Sequence, residues 1–310
     1  MENTRAKTTR NSLILLLTAT IWGMAFVSQS KGMDYMHPFT FHGVRSLIGA
    51  AGILVYILFS RKIAGDKAAK LDWKLNVKAG LLCGIFLTIA SILQQFGIKY
   101  TSVGKAGFIT TLYIIFVPMF GIFLKKKVAP VVWAAAGMAA VGMYLLCMTE
   151  SLRLGAGDIM VFLCAIAFAI QIMTVDHYAA RIDGAVVSCI QFTVCGVVCC
   201  IGALIWGQPT FGQIQEGLGA LLYAGVLSCG VGYTLQIVGQ KGLNPTVAAL
   251  IMSLESVIAT ISGWIAYKIG FLSTDQTLTP RQIAGCIIVF AAVILVQLPP
   301  EWFRFGKKNA

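Results

Sequence analysis

Residues 93–121, LQQFGIKYTSVGKAGFITTLYIIFVPMFG, and residues 235–263, LQIVGQKGLNPTVAALIMSLESVIATISG, follow one pattern at a constant spacing of 142 positions. Without a gap, Leu93 matches Leu235, Gln94 matches Gln236, Gly97 matches Gly239 and Lys99 matches Lys241. Ala106, Ile109, Leu112 and Gly121 likewise match Ala248, Ile251, Leu254 and Gly263. Chance in apolar-rich sequence would give roughly two to four identities over such a length, so the eight found predict an internal repeat. In the second copy, Gly242, Asn244 and Pro245 form a turn, and Pro245 suits a first helical turn, where its missing N–H has no intrahelical partner to lose. An apolar run long enough to cross a bilayer follows. Glu255 stands in the middle of it, opposite Tyr113 in the repeat register. A charge at the bilayer centre costs on the order of 3 kcal/mol on insertion scales, so such a residue is read first as functional.

Composition agrees with a chain that lives in lipid. Of the 310 residues 58% are hydrophobic and only 12% charged, with a mean hydropathy of +0.82; a soluble domain carries about 25% charged residues. The net charge of +12 does not point to nucleic acid, because the basic residues fall in short gaps between apolar runs and no extramembrane domain is left to carry such a partner. The nine cysteines, Cys83, Cys147, Cys164, Cys189, Cys195, Cys199, Cys200, Cys229 and Cys286, all lie in apolar runs, none near a histidine or carboxylate at metal-ligand spacing. They are expected to pack as small apolar residues, and no metal or other cofactor is expected. A cleavable signal peptide is not expected either, since the apolar run after Arg5, Lys7 and Arg10 is too long.

Ten runs of spanning length are predicted, at roughly 12–31, 38–60, 76–97, 104–124, 130–149, 156–178, 184–206, 217–238, 244–267 and 280–298. With the N-terminus inside, one side collects Arg5, Lys7, Arg10, Arg61, Lys62, Lys67, Lys70, Lys74, Lys78, Lys125, Lys126, Lys127, Arg181, Lys241, Arg304, Lys307 and Lys308. The other collects Lys31, Lys99, Lys105, Arg153, Lys268 and Arg281. That asymmetry predicts both termini in the cytoplasm of a multi-pass cell-membrane protein. Trp206 and Trp302 suit the interfacial belts. The fold class expected is all-α: ten transmembrane helices as two five-helix repeats, residues 1–150 and 151–310. Five is odd, so the second repeat enters the membrane upside down, an architecture associated with alternating-access transport.

These residues resemble a known family, the ten-helix drug/metabolite transporter superfamily in its branch of exporters built from two EamA domains. In the first half the likeness rests on IWGMAF, on HGVRSLIGA with Arg45, and on QQFGIKYTSVGKAGFITTLYIIFVP. In the second it rests on GDIMVFLCAIAFAIQI, YTLQIVGQKGLNPTVAALIMSLESV and TPRQIAGCIIVFAAVIL. The chain departs from the family where a proline often follows the ninth-helix glutamate, here Ser256. It departs again where a Glu-Arg pair often ends the fourth and ninth helices, here Lys125–Lys127 and Tyr267–Lys268. The resemblance implies export of amino acids or other small metabolites.

Candidate site residues follow from polar chemistry inside the spans. Glu255 either exchanges a proton coupled to substrate or binds a cationic group, or else is a structural carboxyl bonded between helices. Arg45, about 10 Å into the second helix at 1.5 Å per residue, could grip a substrate carboxylate, snorkel to the headgroups or pair with Glu255. His42, three residues earlier on the same face, shares that site or caps a polar pocket. Gln94 and Gln236 require partners in lipid and belong between helices or on a wet cavity. Tyr113 and Trp22 either line the cavity or pack the core. Lys99 and Lys105 are expected to snorkel, and Asp176 and His177 to end the sixth helix in solvent.

The reading these features favour is a secondary transporter of small molecules, possessing no nucleotide-binding loop for ATP and working through Glu255 as a proton-coupling group or by facilitated diffusion. Its cavity is expected between helices three, four, eight and nine, with parts of one, two, six and seven. Its partners are a small-molecule substrate and the lipid bilayer, and the working unit a monomer or weak homodimer. The alternatives are a non-transporting receptor or scaffold, or an intramembrane enzyme. Against an enzyme stand the short supply of histidines (His37, His42, His177), the lack of an HExxH motif and the absence of two spans each bearing a mid-membrane Asp.

Overall fold

A computed structural model describes residues 2–64, 71–101, 103–124, 128–147, 155–272 and 277–297, and among them it is helical with no strand. The helices are α1 (Glu2–Gly32), α2 (Pro38–Ala64), α3 (Trp73–Tyr100), α4 (Val103–Thr111, resuming past Leu112 as Tyr113–Phe123) and α5 (Pro130–Cys147). The second set is α6 (Ala156–Tyr178), α7 (Gly184–Gly202, extended by a π-helical turn Ala203–Gly207) and α8 (Leu218–Leu222, π-helical Tyr223–Gly232, then Tyr233–Gln240). It ends with α9 (Pro245–Met252 and Glu255–Lys268) and α10 (Pro280–Gln297). A six-residue helix, Phe211–Glu216, sits in the α7–α8 connection. Eight of the ten are long and apolar enough to cross a membrane; α5 and α10 carry shorter apolar stretches, Pro130–Leu145 and Pro280–Leu295. The expected boundary at 150/151 lies outside the described residues. So do Lys67, Lys70, Lys125–Lys127, Arg153, Trp302, Arg304, Lys307 and Lys308, and the side chains of Arg5, Lys105 and Cys147.

Local chemistry sets the helix ends. Asp72 accepts from the backbone of Leu75 to start α3, and Asp183 accepts from Ala185 and Val186 to start α7. Asn244 accepts from Thr246, with Pro245 at the first position of α9. At the ends of α2, α3 and α7 the rings of Phe39, Phe96 and Trp206 group together: Phe39 meets Phe96 edge-on at 5.1 Å and stacks on Trp206 at 5.5 Å. His37 joins them from the α1–α2 connection. Burial first, and then the charge of Lys99, hold its pKa below the usual histidine value.

The helix pairs show the repeat directly. α1 packs on α8 and α9, while α6 packs on α3 and α4; α3 packs on α7, and α2 on α8; α2 also pairs with α7, and α5 with α10. Exchanging each helix with the one five places away returns the same set of pairs. The α2–α7 and α5–α10 pairs map onto themselves and so lie on the pseudo-two-fold axis. Close approach is built into matched glycines. A Cβ on Gly97 of α3 would run into Val161 and the Gly157 carbonyl of α6, and one on its match Gly239 of α8 would meet Leu15 of α1 at 2.7 Å. Overpacking of this kind costs about 1–3 kcal/mol or more. Gly97→Val should therefore lower the thermal unfolding temperature in detergent or abolish a monodisperse species. Gly137→Val on α5, where a Cβ meets nothing within 4 Å, should leave both unchanged.

Candidate functional site

Both α4 and α9 are interrupted at the same register position. Leu112 and Leu254 lie in tightened turns, with the Leu112 N–H bonded to the Ile109 carbonyl and the Leu254 N–H to that of Ile251, each at 3.2 Å. Hydroxyl side chains at the preceding position turn back onto their own helices: Thr111 donates to the Gly107 carbonyl at 3.0 Å and Ser253 to that of Leu250 at 2.7 Å. Such back-bonding bends helices. Tyr113 and Glu255, one residue past each break, then face each other, and the Tyr113 hydroxyl donates to Glu255 Oε1 at 3.1 Å. Two residues that are partners under the repeat and also touch must lie on the pseudo-two-fold axis.

A cavity opens at this contact, with about 30 Å³ accessible to the centre of a water molecule, room for a water or two and for no amino acid. α1 lines it with Trp22, Phe26 and Gln29, α2 with Arg45, α3 with Gln94 and α4 with Thr110 and Tyr113. α6 lines it with Phe168, Gln171 and Ile172, α8 with Ser228, Tyr233 and Gln236, and α9 with Glu255. Six of the sequence candidates, Glu255, Arg45, Gln94, Gln236, Tyr113 and Trp22, are thus brought together. α7, expected to contribute, supplies no lining residue; it stands behind α2 and α3. Gln94 Nε2 donates to Thr110 Oγ1 at 3.3 Å and Gln236 Nε2 to Gln171 Oε1 at 3.2 Å. Gln29 Oε1, Gln171 Nε2 and Gln236 Oε1 are buried with no hydrogen-bond partner among the described residues, so the wall keeps polar capacity in reserve. The Trp22 indole donates to the Ser228 carbonyl at 3.4 Å and its ring lies 4.5 Å from that of Tyr233.

Arg45 neither snorkels nor pairs with Glu255. It is 5% exposed, its Nε donates to His42 Nδ1 at 2.9 Å and its guanidinium lies 5.4 Å from the centre of the Phe41 ring. No ion pair within 4.0 Å joins it to Glu255. His42 does not reach the cavity wall; it stands behind Arg45, 3.2 Å from Cys195 Sγ. Cys195 thus has in space a histidine neighbour that it lacks in sequence. Sequence spacing could not reveal the contact because it joins α2 to α7, which close on each other where Gly43 faces Cys200 and Gly196 faces Leu47.

Gln29, Phe26, Gln171 and Phe168 were not among the candidates. The signal for them is the same 142-residue spacing carried back into the first helix of each repeat, which matches Phe26 with Phe168 and Gln29 with Gln171. A second signal lies in α2 and α7, where FTFHGVRSLIGA (39–50) and FTVCGVVCCIGA (192–203) match at a spacing of 153. That register pairs His42 with Cys195 and leaves Arg45 opposite Val198. Tyr233 and Ser228 had no signal of this kind; they follow from the π-helical turn of α8, a distortion often found at functional sites.

Removing one partner of the axial contact should be costly and removing both cheap. Tyr113→Phe, which leaves the Glu255 carboxyl without that donor, should destabilise the protein by about 1–3 kcal/mol in a detergent thermal-unfolding assay. Glu255→Gln, whose amide oxygen can accept the same bond, should unfold within a few degrees of the parent.

A family model described as the EamA-like transporter family matches residues 10–148 and again residues 155–298. An uncharacterized transporter of Archaeoglobus fulgidus is 27% identical over 290 residues, 92% of this chain and 84% of that protein. Two uncharacterized transporters of Bacillus subtilis also align: YwfM, 24% identical over 94% of each chain, and YoaV, 20% identical over 95% of this chain and 97% of its own length. Among solved structures, one protein crystal structure superposes with a TM-score of 0.74 over 96% of this chain and 99% of its own, at 16% identity; that likeness concerns the fold alone.

Proposed function

Since the chain belongs to the EamA-like transporter family, we propose that this multi-pass membrane protein exports amino acids or similar small metabolites, by alternating access and with proton coupling through Glu255. The observation that carries this reading is the cavity wall. It holds one guanidinium and one carboxyl group, Arg45 and Glu255, that form no ion pair with each other. Amide groups and the aromatic faces of Trp22, Phe26 and Tyr233 complete it. Such a wall suits a zwitterion: Arg45 for the carboxylate, by a forked charge-assisted bond, Glu255 for the ammonium, and the amides and rings for the remainder.

A carboxyl group that can meet either a proton or an ammonium group, but not both, would couple the two in exchange. With the Tyr113 hydroxyl bonded to one oxygen, the other oxygen of Glu255 is the one to do so. The cavity is too small for an amino acid as it stands, so one repeat has to rock against the other to admit substrate. The basic-residue asymmetry supports a cell-membrane protein with both termini in the cytoplasm. A ten-helix chain that encloses its own cavity works as a monomer or a weak homodimer, with repeats meeting near residue 150. The family and its relatives are described as transporters, which supports transport over enzymatic activity.

Proteoliposomes loaded with pooled amino acids and metabolites test the proposal through substrate flux and internal pH together. Wild-type protein should move protons against substrate. Glu255→Gln should abolish proton movement, and Arg45→Gln should lower flux of carboxylate-bearing substrates tenfold or more, the loss expected for about 1.4 kcal/mol of binding. Equal flux in wild type and Glu255→Gln without proton movement would mean facilitated diffusion and a structural glutamate. No flux of any solute would remove the transport reading.

A further inference from the structure

Where α2 and α7 cross on the axis, side chains the proposed transport cycle does not use form a compact cluster. The ring of His42 and the sulfurs of Cys195 and Cys199 are all buried, and their donor atoms all lie within 4.8 Å of one another. Cys195 and Cys199 are one turn apart on α7, so both sulfurs leave the same face. His42 Nε2 is 3.2 Å from Cys195 Sγ, and the Ser46 hydroxyl approaches the same sulfur at 3.8 Å.

The hydrogen-bond direction at His42 is fixed by its neighbour. A guanidinium N–H can only donate, so the 2.9 Å contact from Arg45 Nε makes Nδ1 the bare nitrogen of a neutral ring. The ring proton then sits on Nε2 and points at the sulfur of Cys195. In that state His42 is not free to ligate through Nε2; it serves a thiolate as hydrogen-bond donor. Two sulfur donors remain, and soft thiolates favour Cu(I) among available ions. The two sulfurs lie within 4.8 Å of each other, close enough for one ion to bind both.

Charge makes the choice of ion sharper. Arg45 stays protonated, is buried, and has no carboxylate within 4.0 Å among the described residues. Two thiolates around a divalent ion are neutral and leave the guanidinium uncompensated. Two thiolates around a monovalent ion carry one negative charge, which the guanidinium one residue group away cancels. We propose that Cys195 and Cys199 form a buried two-coordinate site for a single soft monovalent metal ion, Cu(I), with Arg45 as its counter-charge and His42 as hydrogen-bond donor to sulfur. Binding forms two metal–sulfur bonds and breaks two S–H bonds; both protons are released to solvent, and no electron is transferred.

The experiment uses the full chain in nanodiscs, with Cu(I) kept reduced by ascorbate and titrated against a coloured Cu(I) chelator. One equivalent should be held by wild type, and affinity should fall at least a hundredfold in Cys195→Ser and in Cys199→Ser. Cys164→Ser, whose buried thiol lies outside the cluster, should keep it. X-ray absorption of the wild-type complex should show two sulfur neighbours and no nitrogen, with a nitrogen appearing in Arg45→Gln, where Nδ1 is released to take the proton. In unmutated protein, Cu(I) added before denaturation should shield the Cys195 and Cys199 peptides from alkylation. Failure of folded wild type to hold Cu(I), shielding of other cysteines instead, a nitrogen ligand in wild type, or one equivalent of Zn(II) held as tightly would each overturn the proposal.

Discussion

An ionisable group placed in hydrocarbon has to be given partners by the protein itself, because neither lipid nor bulk water supplies them. For Glu255 the partner is Tyr113, its own counterpart in the other repeat. That pairing forces the two residues onto the axis and brings the broken midpoints of α4 and α9 together. The cavity then has to form around the same spot. The breaks are tightened turns whose amides still find acceptors three residues back. They therefore redirect each helix without stripping its carbonyls, and the charge handling at the centre falls to side chains.

Arg45 meets the same constraint differently. No carboxylate stands within ion-pair distance among the described residues, and the guanidinium is held by an imidazole nitrogen and the neighbouring Phe41 ring. Both are neutral groups that can serve a cation, one by accepting a hydrogen bond and one through its ring quadrupole. A residue so supported is oriented without being neutralised. The positive charge is therefore still available to whatever enters the cavity, or to a negative centre at the α2–α7 crossing.

Much of this was readable from residues alone, for a definite reason. From Leu93 to Gly121 the two copies keep one register, so pairing Gln94 with Gln236 and Tyr113 with Glu255 was a matter of alignment, and helix geometry carried those pairs to one place. Gln29 and Gln171 obey the same register but lie in α1 and α6, beyond the aligned stretch. α2 and α7 keep their likeness at a spacing of 153 rather than 142, and the contact of His42 with Cys195 was lost with the register. The π-helical turn of α8 is a tertiary effect: Gly225 sits against Ile48 and the Arg45 carbonyl of α2, and no local propensity in YAGVLSCGVG announces it. The direction of Arg45 was open for a similar reason, since a long cationic side chain near a helix end is satisfied equally well by headgroups or by a pocket.

The invariance of the helix pairs under exchange of repeats has a thermodynamic corollary. If the two repeats trade conformations, the molecule presents the same shape to the opposite side of the membrane. Any interaction between residues that are alike in both copies, such as that of Gln171 with Gln236, whose matches are Gln29 and Gln94, contributes equally to the two arrangements and drops out of their difference. The bias between facing in and facing out is therefore written only at unlike pairs. Among the charge-bearing residues of the wall these are Tyr113 with Glu255 and Arg45 with Val198, so the residues that hold the charges also weight the scale, and protonating or occupying them shifts the equilibrium.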